Sequence, residues 1–204
     1  MTETTPTPRQ SKSGLIILVI LVALFILPEI IAVGLQTIKW RPKSTTNRGE
    51  LVLPVRPIKD VDLQTIDSKA VKFSDFQHKW TMIYFADAEC DEVCIKNIYS
   101  MRQVLKALGK EHERVRRIFV PTGAVSADML KTKLQDYPGM IVVSGPSQNI
   151  HQLSQQFVQP GATSVDSGRI YLVDPLGNLM MSYRDDPSGM LKDLIHLMKT
   201  SSVG

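Results

Sequence analysis

The feature that most limits how this 204-residue chain can fold is the long apolar run at residues 14–35, GLIILVILVALFILPEIIAVGL. It carries one charged residue, Glu29, and a membrane-spanning helix needs about 20 such residues. A cleaved signal peptide would have a shorter apolar core and a small-residue cleavage site. Here the apolar stretch resumes after Pro28 and Glu29, and no clear Ala-x-Ala site follows. We therefore predict a retained single transmembrane helix.

The formal net charge is +4, and much of the positive charge lies beside this run. The basic residues on its two sides are Arg9 and Lys12 before it, and Lys39, Arg41, Lys43 and Arg48 after it. Such a segment is typical of a lipid-facing region, and a plain count of Lys and Arg would place the C-terminal part in the cytoplasm. The chain has no basic patch interleaved with aromatic residues, which argues against nucleic acid as a partner.

The rest of the chain divides by composition. Residues 1–13 are rich in Thr, Pro and Ser and are predicted to be disordered. Residues 36–57 are predicted to be a linker, because KWRPKSTTNRGELVLPVRP (residues 39–57) is basic and interrupted by Pro42, Pro54 and Pro57. Residues 58–204 contain no internal repeat and are predicted to form one domain.

Within that domain, strand and helix patterns alternate. Residues 60–76 alternate polar and apolar residues around a turn at 67–69, which predicts a hairpin. The apolar runs TMIYFA, RRIFVPT and MIVVSG predict buried strands, each followed by a helix; the first helix has an apolar stripe and the second is capped by Ser126. A second hairpin (169–184) and a terminal helix with Ser188 as its cap complete the pattern. The order of elements predicts an α/β fold. The apolar stripe consists of Val93, Ile98, Met101, Val104, Leu105 and Leu108.

The only two cysteines, Cys90 and Cys94, follow the first buried strand. Chemistry in open α/β sheets gathers at the carboxyl ends of strands, so this position favours a working pair over two inert buried thiols. Residues four apart share a helix face, and a small adjustment would allow a disulfide. Two thiolates can exchange disulfides or hold Cu(I). The neighbouring acids Glu89, Asp91 and Glu92 would oppose a thiolate and favour a cation, unless they serve only as first-turn residues of a helix.

The stretches DLQTIDSKAVKFSDFQHKWTMIYFADAECDEVC and VDSGRIYLVDPLGNLMMSY resemble the SCO/SenC family of cytochrome c oxidase assembly factors. The resemblance implies an anchored thioredoxin-like fold in which Cys90 and Cys94 bind copper or act as a thiol–disulfide pair. It also implies a cytochrome c oxidase subunit or another assembly factor as partner. The domain would lie outside the cytoplasm, in a bacterium on the periplasmic side of the inner membrane. This location contradicts the Lys/Arg count, and we give the resemblance precedence.

The chain departs from the family pattern at two places. The family has proline after each cysteine, whereas Asp91 and Ile95 stand here. The family's third copper ligand is a histidine, and an ungapped alignment on Tyr171 places Asp166 there. A carboxylate suits Cu(I) poorly, so we expect weaker copper binding. None of the four histidines is expected to replace it; they are His78, His112, His151 and His196.

Three functions stay open at this point. The first is an oxidase assembly factor that handles copper or keeps the cysteines of its client protein reduced. The second is a general thiol–disulfide oxidoreductase of the cell envelope, so whether the protein is an enzyme stays undecided. The third is a non-catalytic scaffold. A peroxiredoxin is disfavoured, because Asp87 stands where that family has threonine.

Overall fold

The computed structural model describes residues 12–38, 46–124 and 126–201, which fall into two compact units with a boundary between Thr46 and Asn47. The first unit contains helix α1 (Lys12–Thr37). Its segment Ser13–Thr37 has 25 residues with a mean hydropathy of 3.1, and it extends about 38 Å at 1.5 Å per residue. It is therefore long and apolar enough to cross a bilayer. Residues 1–11, predicted to be disordered, and 39–45 lie outside the described residues, while Lys12 and Ser13 already belong to the helix.

The second unit is built on an eight-stranded mixed sheet with strand order β1-β8-β7-β4-β5-β6-β2-β3. Strands β4, β5 and β6 pair parallel with one another, as connections through helices require, and the remaining pairs are antiparallel. The strands are β1 (Glu50–Pro57), β2 (Asp62–Thr65), β3 (Ala70–Lys72), β4 (Trp80–Ala86), β5 (Val115–Pro121), β6 (Met140–Ser144), β7 (Arg169–Val173) and β8 (Asn178–Arg184).

Helices cover both faces of this sheet, and each face has its own apolar cluster. Helices α2, α3 and α5 pack on one face, and α4 packs on the other together with a 3₁₀ turn at Phe73–Phe76. The predicted α/β class with an N-terminal hairpin is thereby confirmed. The helices of this unit are α2 (Glu92–Ala107), α3 (Ala127–Leu134), α4 (Ser147–Gln155) and α5 (Pro187–Thr200), and a second 3₁₀ helix spans Gly109–Arg114.

The predicted hairpins and the Ser126 cap are confirmed, whereas the predictions for Val93 and Ser188 are wrong. The hairpins turn where predicted, and Ser126 caps α3 by accepting a hydrogen bond from the Met129 amide at 3.5 Å. Val93, however, is 54% exposed and does not belong to the buried stripe of α2. Helix α5 is capped by Asp186, which accepts from the Gly189 amide at 2.8 Å, and not by Ser188. A carboxylate two residues earlier reaches the free amides of the first turn, so the serine is not needed.

The prediction that residues 39–57 have little regular structure is wrong for its second half. Glu50–Pro57 forms strand β1, which pairs antiparallel with β8 at the edge of the sheet. The register shifts between Leu51 and Arg56, so the strand bulges around Pro54. Prolines are tolerated at an edge strand and at a bulge because no neighbour needs their missing amide hydrogen there. The prolines that suggested a linker are thus compatible with this strand.

The start of this unit is fixed by one buried carboxylate on α5. Asp193 is 7% exposed and accepts hydrogen bonds from the amides of Arg48 (2.8 Å) and Gly49 (2.9 Å). It also accepts from the Tyr183 hydroxyl at 3.1 Å. Burial, reinforced by the Asp193 charge, raises the pKa of Tyr183 far above its ordinary value, so this hydroxyl stays a donor. The contact joins α5 and β8 to the chain that enters β1.

We predict that Asp193→Ala lowers the free energy of unfolding by about 3 kcal/mol, because it leaves buried donors without an acceptor. The measurement is chemical denaturation of the oxidised full-length protein in detergent micelles. The matched control is Asp62→Ala, which removes a carboxylate 83% exposed and 4.0 Å from Lys72. It should cost less than about 0.5 kcal/mol. Equal losses for both variants would contradict the role assigned to Asp193.

Candidate functional site

The cysteines lie in the turn that joins β4 to α2, and a disulfide links Cys90 to Cys94 with their Cα atoms 5.1 Å apart. The turn is shaped by two aspartates that accept backbone hydrogen bonds. Asp87 accepts from the Glu89 amide at 2.9 Å, and Asp91 caps α2 by accepting from the Cys94 amide at 2.9 Å. Cys90 itself has a positive φ of 46°. The tight turn and the cap together bring the two cysteines within bonding distance.

The two sulfur-bearing residues differ in their surroundings. Cys90 is 3% exposed and Cys94 is 1% exposed. Cys90 lines two surface cavities, one of about 640 Å³ and one of about 470 Å³, and Cys94 lines neither of these two. A reactant that approaches the disulfide through either cavity therefore meets Cys90 first.

One of the three acidic residues next to Cys90 has a structural role in the turn. Asp91 serves as the helix cap, as the alternative interpretation of these acids proposed. On the other side of the turn, Lys133 of α3 donates to the carbonyl oxygen of Cys90 at 3.3 Å and to that of Glu89. The turn is thus held by a cation as well as by carboxylates. The larger cavity runs between this lysine and α2 and is also lined by Ile95, Tyr99 and Tyr137.

Asp166 lies in the wall of the 470 Å³ cavity that Cys90 also lines. Its carboxylate accepts hydrogen bonds from the Gly168 amide at 2.8 Å and from Arg169 Nε at 3.1 Å, and it contacts Arg184. Arg169 also pairs with Glu50 of β1 at 2.8 Å. Burial lowers the pKa of Arg169, but Glu50 and Asp166 raise it, and the pKa lies above its ordinary value. Asp166 therefore lines the same cavity as Cys90, but it is already paired with two arginines.

A three-ligand copper site does not form from these side chains. Within the described part of the chain, no three His, Cys, Asp or Glu residues group closely enough to hold a metal ion. All four histidines are exposed, and His151 alone of them lines a neighbouring cavity of about 620 Å³, which shares Asp87 and Ser167 with the cavity at Cys90. After reduction the two cysteine thiolates fit Cu(I), whereas a carboxylate bound to arginines does not.

A buried tyrosine in the same cavity wall was not anticipated. The Tyr84 hydroxyl donates to the Ser167 carbonyl oxygen at 2.7 Å and accepts from the Asn97 side chain at 3.2 Å. Burial raises the pKa of Tyr84, so the hydroxyl keeps its proton. Sequence reasoning passed over Tyr84 as one of six apolar strand residues. One signal for the partner of Tyr84 was present in the sequence, because the polar Asn97 interrupts the apolar side of α2 three residues after Cys94. A second signal, for the pairing of Asp166, was Arg169 three residues later.

Comparison with known proteins identifies the family to which this fold belongs. The family model described as "Transmembrane-like, thioredoxin-like, C-terminal domain" matches residues 80–201. The mitochondrial protein SCO2 homolog of Bos taurus is 25% identical over 126 residues, which is 59% of this chain. The match spans 46% of the bovine protein, so less than half of that relative is represented.

Solved structures share the fold at low sequence identity. Yeast Sco1 with copper bound superimposes with a TM-score of 0.63 at 17% identity, covering 72% of this chain and 90% of that chain. The structure that identified a disulfide switch in BsSco, a member of the Sco family of cytochrome c oxidase assembly proteins, gives a TM-score of 0.57 at 18% identity. It covers 72% of this chain and 96% of that one. The resemblance to SCO/SenC proteins is thus confirmed, and the chain belongs to the transmembrane-like, thioredoxin-like family.

Proposed function

We propose that this protein is a membrane-anchored, thioredoxin-like assembly factor that exchanges disulfides with a cysteine-containing client during cytochrome c oxidase maturation. The observation that carries the proposal is the Cys90–Cys94 disulfide at the carboxyl end of β4, with Cys90 lining two cavities. Support for the pathway comes from the SCO-like relatives, one of which belongs to the Sco family of cytochrome c oxidase assembly proteins. The client would be an oxidase subunit or another assembly factor.

The exchange needs only the two sulfurs and a client disulfide or dithiol. In the direction that reduces a client, the Cys90 thiolate attacks a client sulfur and forms a mixed disulfide, and the first client thiolate leaves. The Cys94 thiolate then attacks Cys90 Sγ, the second client thiolate leaves, and the Cys90–Cys94 disulfide closes. The client gains two electrons, and both released thiolates take protons from water. A dithiol reductant must then reopen the disulfide; the reverse sequence oxidises a client dithiol.

The surroundings give the two cysteines different roles in this exchange. Cys90 meets the cavities and is assigned the bond to the client, whereas Cys94 is more deeply buried and is assigned the resolving attack. The amide of Cys94 lies in the first turn of α2, where the helix dipole favours negative charge on a sulfur. Cys94 is therefore suited to be the leaving thiolate when the disulfide is opened.

Copper handling is the second candidate, and Cu(I) would then be cargo and not a resident cofactor. Two observations support it: yeast Sco1, which shares this fold, has been solved with copper bound, and reduction would supply two soft thiolates here. Against tight binding stands the Asp166 carboxylate, which is held by Arg169 and Arg184. A general envelope oxidoreductase would use the same cysteines, and a lack of client preference would distinguish it. A scaffold would need neither sulfur.

We predict that replacing the resolving cysteine traps the intermediate. Reduced Cys94→Ser protein treated with glutathione disulfide should accumulate a mixed disulfide on Cys90, and Cys90→Ser should form about tenfold less, because access to the sulfur governs exchange. Intact-mass measurement under native conditions quantifies both. The wild type should end as the intramolecular disulfide. If both single variants react equally, the assigned roles are wrong; two unreactive thiols would support inert core cysteines.

We predict that the reduced protein binds Cu(I) weakly and that Asp166→His strengthens binding by at least about tenfold, or about 1.4 kcal/mol. An imidazole suits copper better than a carboxylate, and residue 166 lines the cavity at Cys90. Competition against a Cu(I) chelator measures the affinity. Asp166→Asn is the matched control, because it removes the charge without adding a ligand, and Ser167→His allows for a one-residue alignment error. Failure of both histidine variants to bind more tightly would contradict the placement of the site.

We predict that the C-terminal domain lies outside the cytoplasm, where an oxidising compartment lets a disulfide persist. In a bacterial host, an alkaline phosphatase fused after Gly204 should be active, and a cytoplasmic reporter at the same position should not be. The opposite pair of results would mean that the Lys/Arg count gives the true topology, and an oxidase assembly role on the outer side would then be wrong.

A further inference from the structure

The Tyr84 hydroxyl joins three elements around the disulfide. Tyr84 belongs to β4, which leads into the cysteine turn, and Asn97 belongs to α2, one helical turn after Cys94. Ser167 belongs to the loop that carries Asp166. The hydroxyl accepts from Asn97 at 3.2 Å and donates to Ser167 at 2.7 Å. One oxygen atom thus connects the helix of Cys94 to the loop on the far wall of the cavity.

The two side chains of this connection are buried, whereas Ser167, which supplies only its carbonyl oxygen, is exposed. Tyr84 is 1% exposed and Asn97 is 7% exposed. A buried hydrogen-bonding group that loses its partner costs free energy, so the buried Asn97–Tyr84 hydrogen bond resists displacement of either side chain. Residue 97 lies on the same side of the helix as residue 94, because residues three apart are neighbours on a helix surface. Movement of the Cys94 turn is therefore transmitted to this hydrogen-bond chain.

We propose that Tyr84 is a positioning residue that favours the closed disulfide over the open dithiol. The proposal rests on the exchange function proposed above. Reduction removes the covalent bond, and two unbonded sulfurs cannot remain at bonding distance, so the sulfurs separate; in our proposal the first turn of α2 moves with Cys94. That movement strains the hydrogen bonds of the Tyr84 hydroxyl, which are intact when the disulfide is closed. The network therefore adds stability to the oxidised state that the reduced state loses.

The test is the redox equilibrium of the full-length protein with glutathione. Reduction converts the Cys90–Cys94 disulfide and two glutathione thiols into two protein thiols and glutathione disulfide, so electrons and protons balance. Tyr84→Phe removes one oxygen and keeps the ring. It should raise the equilibrium constant for reduction about fivefold, the value expected for the loss of one net hydrogen bond. The oxidised fraction is read by alkylation and intact mass.

Two further variants separate positioning from general stability. Asn97→Leu removes the partner amide at similar volume and should produce a comparable change, and the double variant should change little more than either single one. The matched control is Tyr183→Phe, which deletes another buried hydroxyl, bonded to Asp193 and distant from the cysteines in sequence. It should lower the stability of both redox states equally and leave the equilibrium constant unchanged.

Each outcome is decisive. If Tyr84→Phe and Asn97→Leu leave the glutathione equilibrium at the wild-type value, the hydrogen bonds serve the fold only and the inference is wrong, while the proposed exchange stands. If Tyr183→Phe shifts the equilibrium as much as Tyr84→Phe, the effect is not specific and the inference is again overturned. A wild-type disulfide that does not equilibrate with thiols would overturn the proposed function and this inference together.

Discussion

The complete burial of strand β4 is the constraint on which the site depends. All seven residues of this strand are buried, since it pairs with β5 on one side and β7 on the other and is covered on both faces. A strand held in this way has one register, because a slip by one residue would break the hydrogen bonds to both neighbours and the packing on both faces. The turn after Ala86 is therefore fixed in space, and with it Cys90. The disulfide-bonded pair stands at the end of a strand that is buried over its whole length.

Three carboxylates around the site, those of Asp87, Asp91 and Asp166, already have partners within the protein. Asp87 and Asp91 accept backbone hydrogen bonds in the cysteine turn, and Asp166 is paired with Arg169 and Arg184 across the cavity. If the Asp166 carboxylate turned toward a metal ion, it would lose its ion pairs with Arg169 and Arg184. Hydration of the arginines would recover only part of the free energy of those pairs. This arrangement is consistent with chemistry at the sulfurs themselves. It also explains why a carboxylate is stable at residue 166, where the resemblance to SCO/SenC proteins implies a histidine.

The sequence predicted the features that depend on local pattern. Apolar runs and alternation located β4 to β8, the hairpins and the helices, because burial on one or two faces imposes a period on the chain. Features that depend on distant partners escaped it. Strand β1 was predicted to be a linker because it contains prolines, which are excluded from central strands. Edge strands tolerate proline, but nothing in the local sequence shows that β8 has a free edge on which β1 can pair. The Glu50–Arg169 pair joins residues more than a hundred positions apart. Tyr84 was overlooked because an apolar run hides a hydroxyl whose partners come from α2 and a remote loop.

The asymmetry between the two cysteines gives the proposed exchange an order. Thiol attack on a disulfide must reach one sulfur and expel the other as a thiolate. Cys90 lines the cavities, whereas the amide of Cys94 lies at the positive end of α2, so access and leaving-group stability assign opposite roles to the two. A client held at the same membrane would meet Cys90 repeatedly, since a tether raises the effective concentration of a weakly bound partner. Under the proposed function, a membrane anchor would make slow, selective exchange sufficient, and a disulfide whose cysteines are buried would suit a dedicated client better than the free thiols of the compartment.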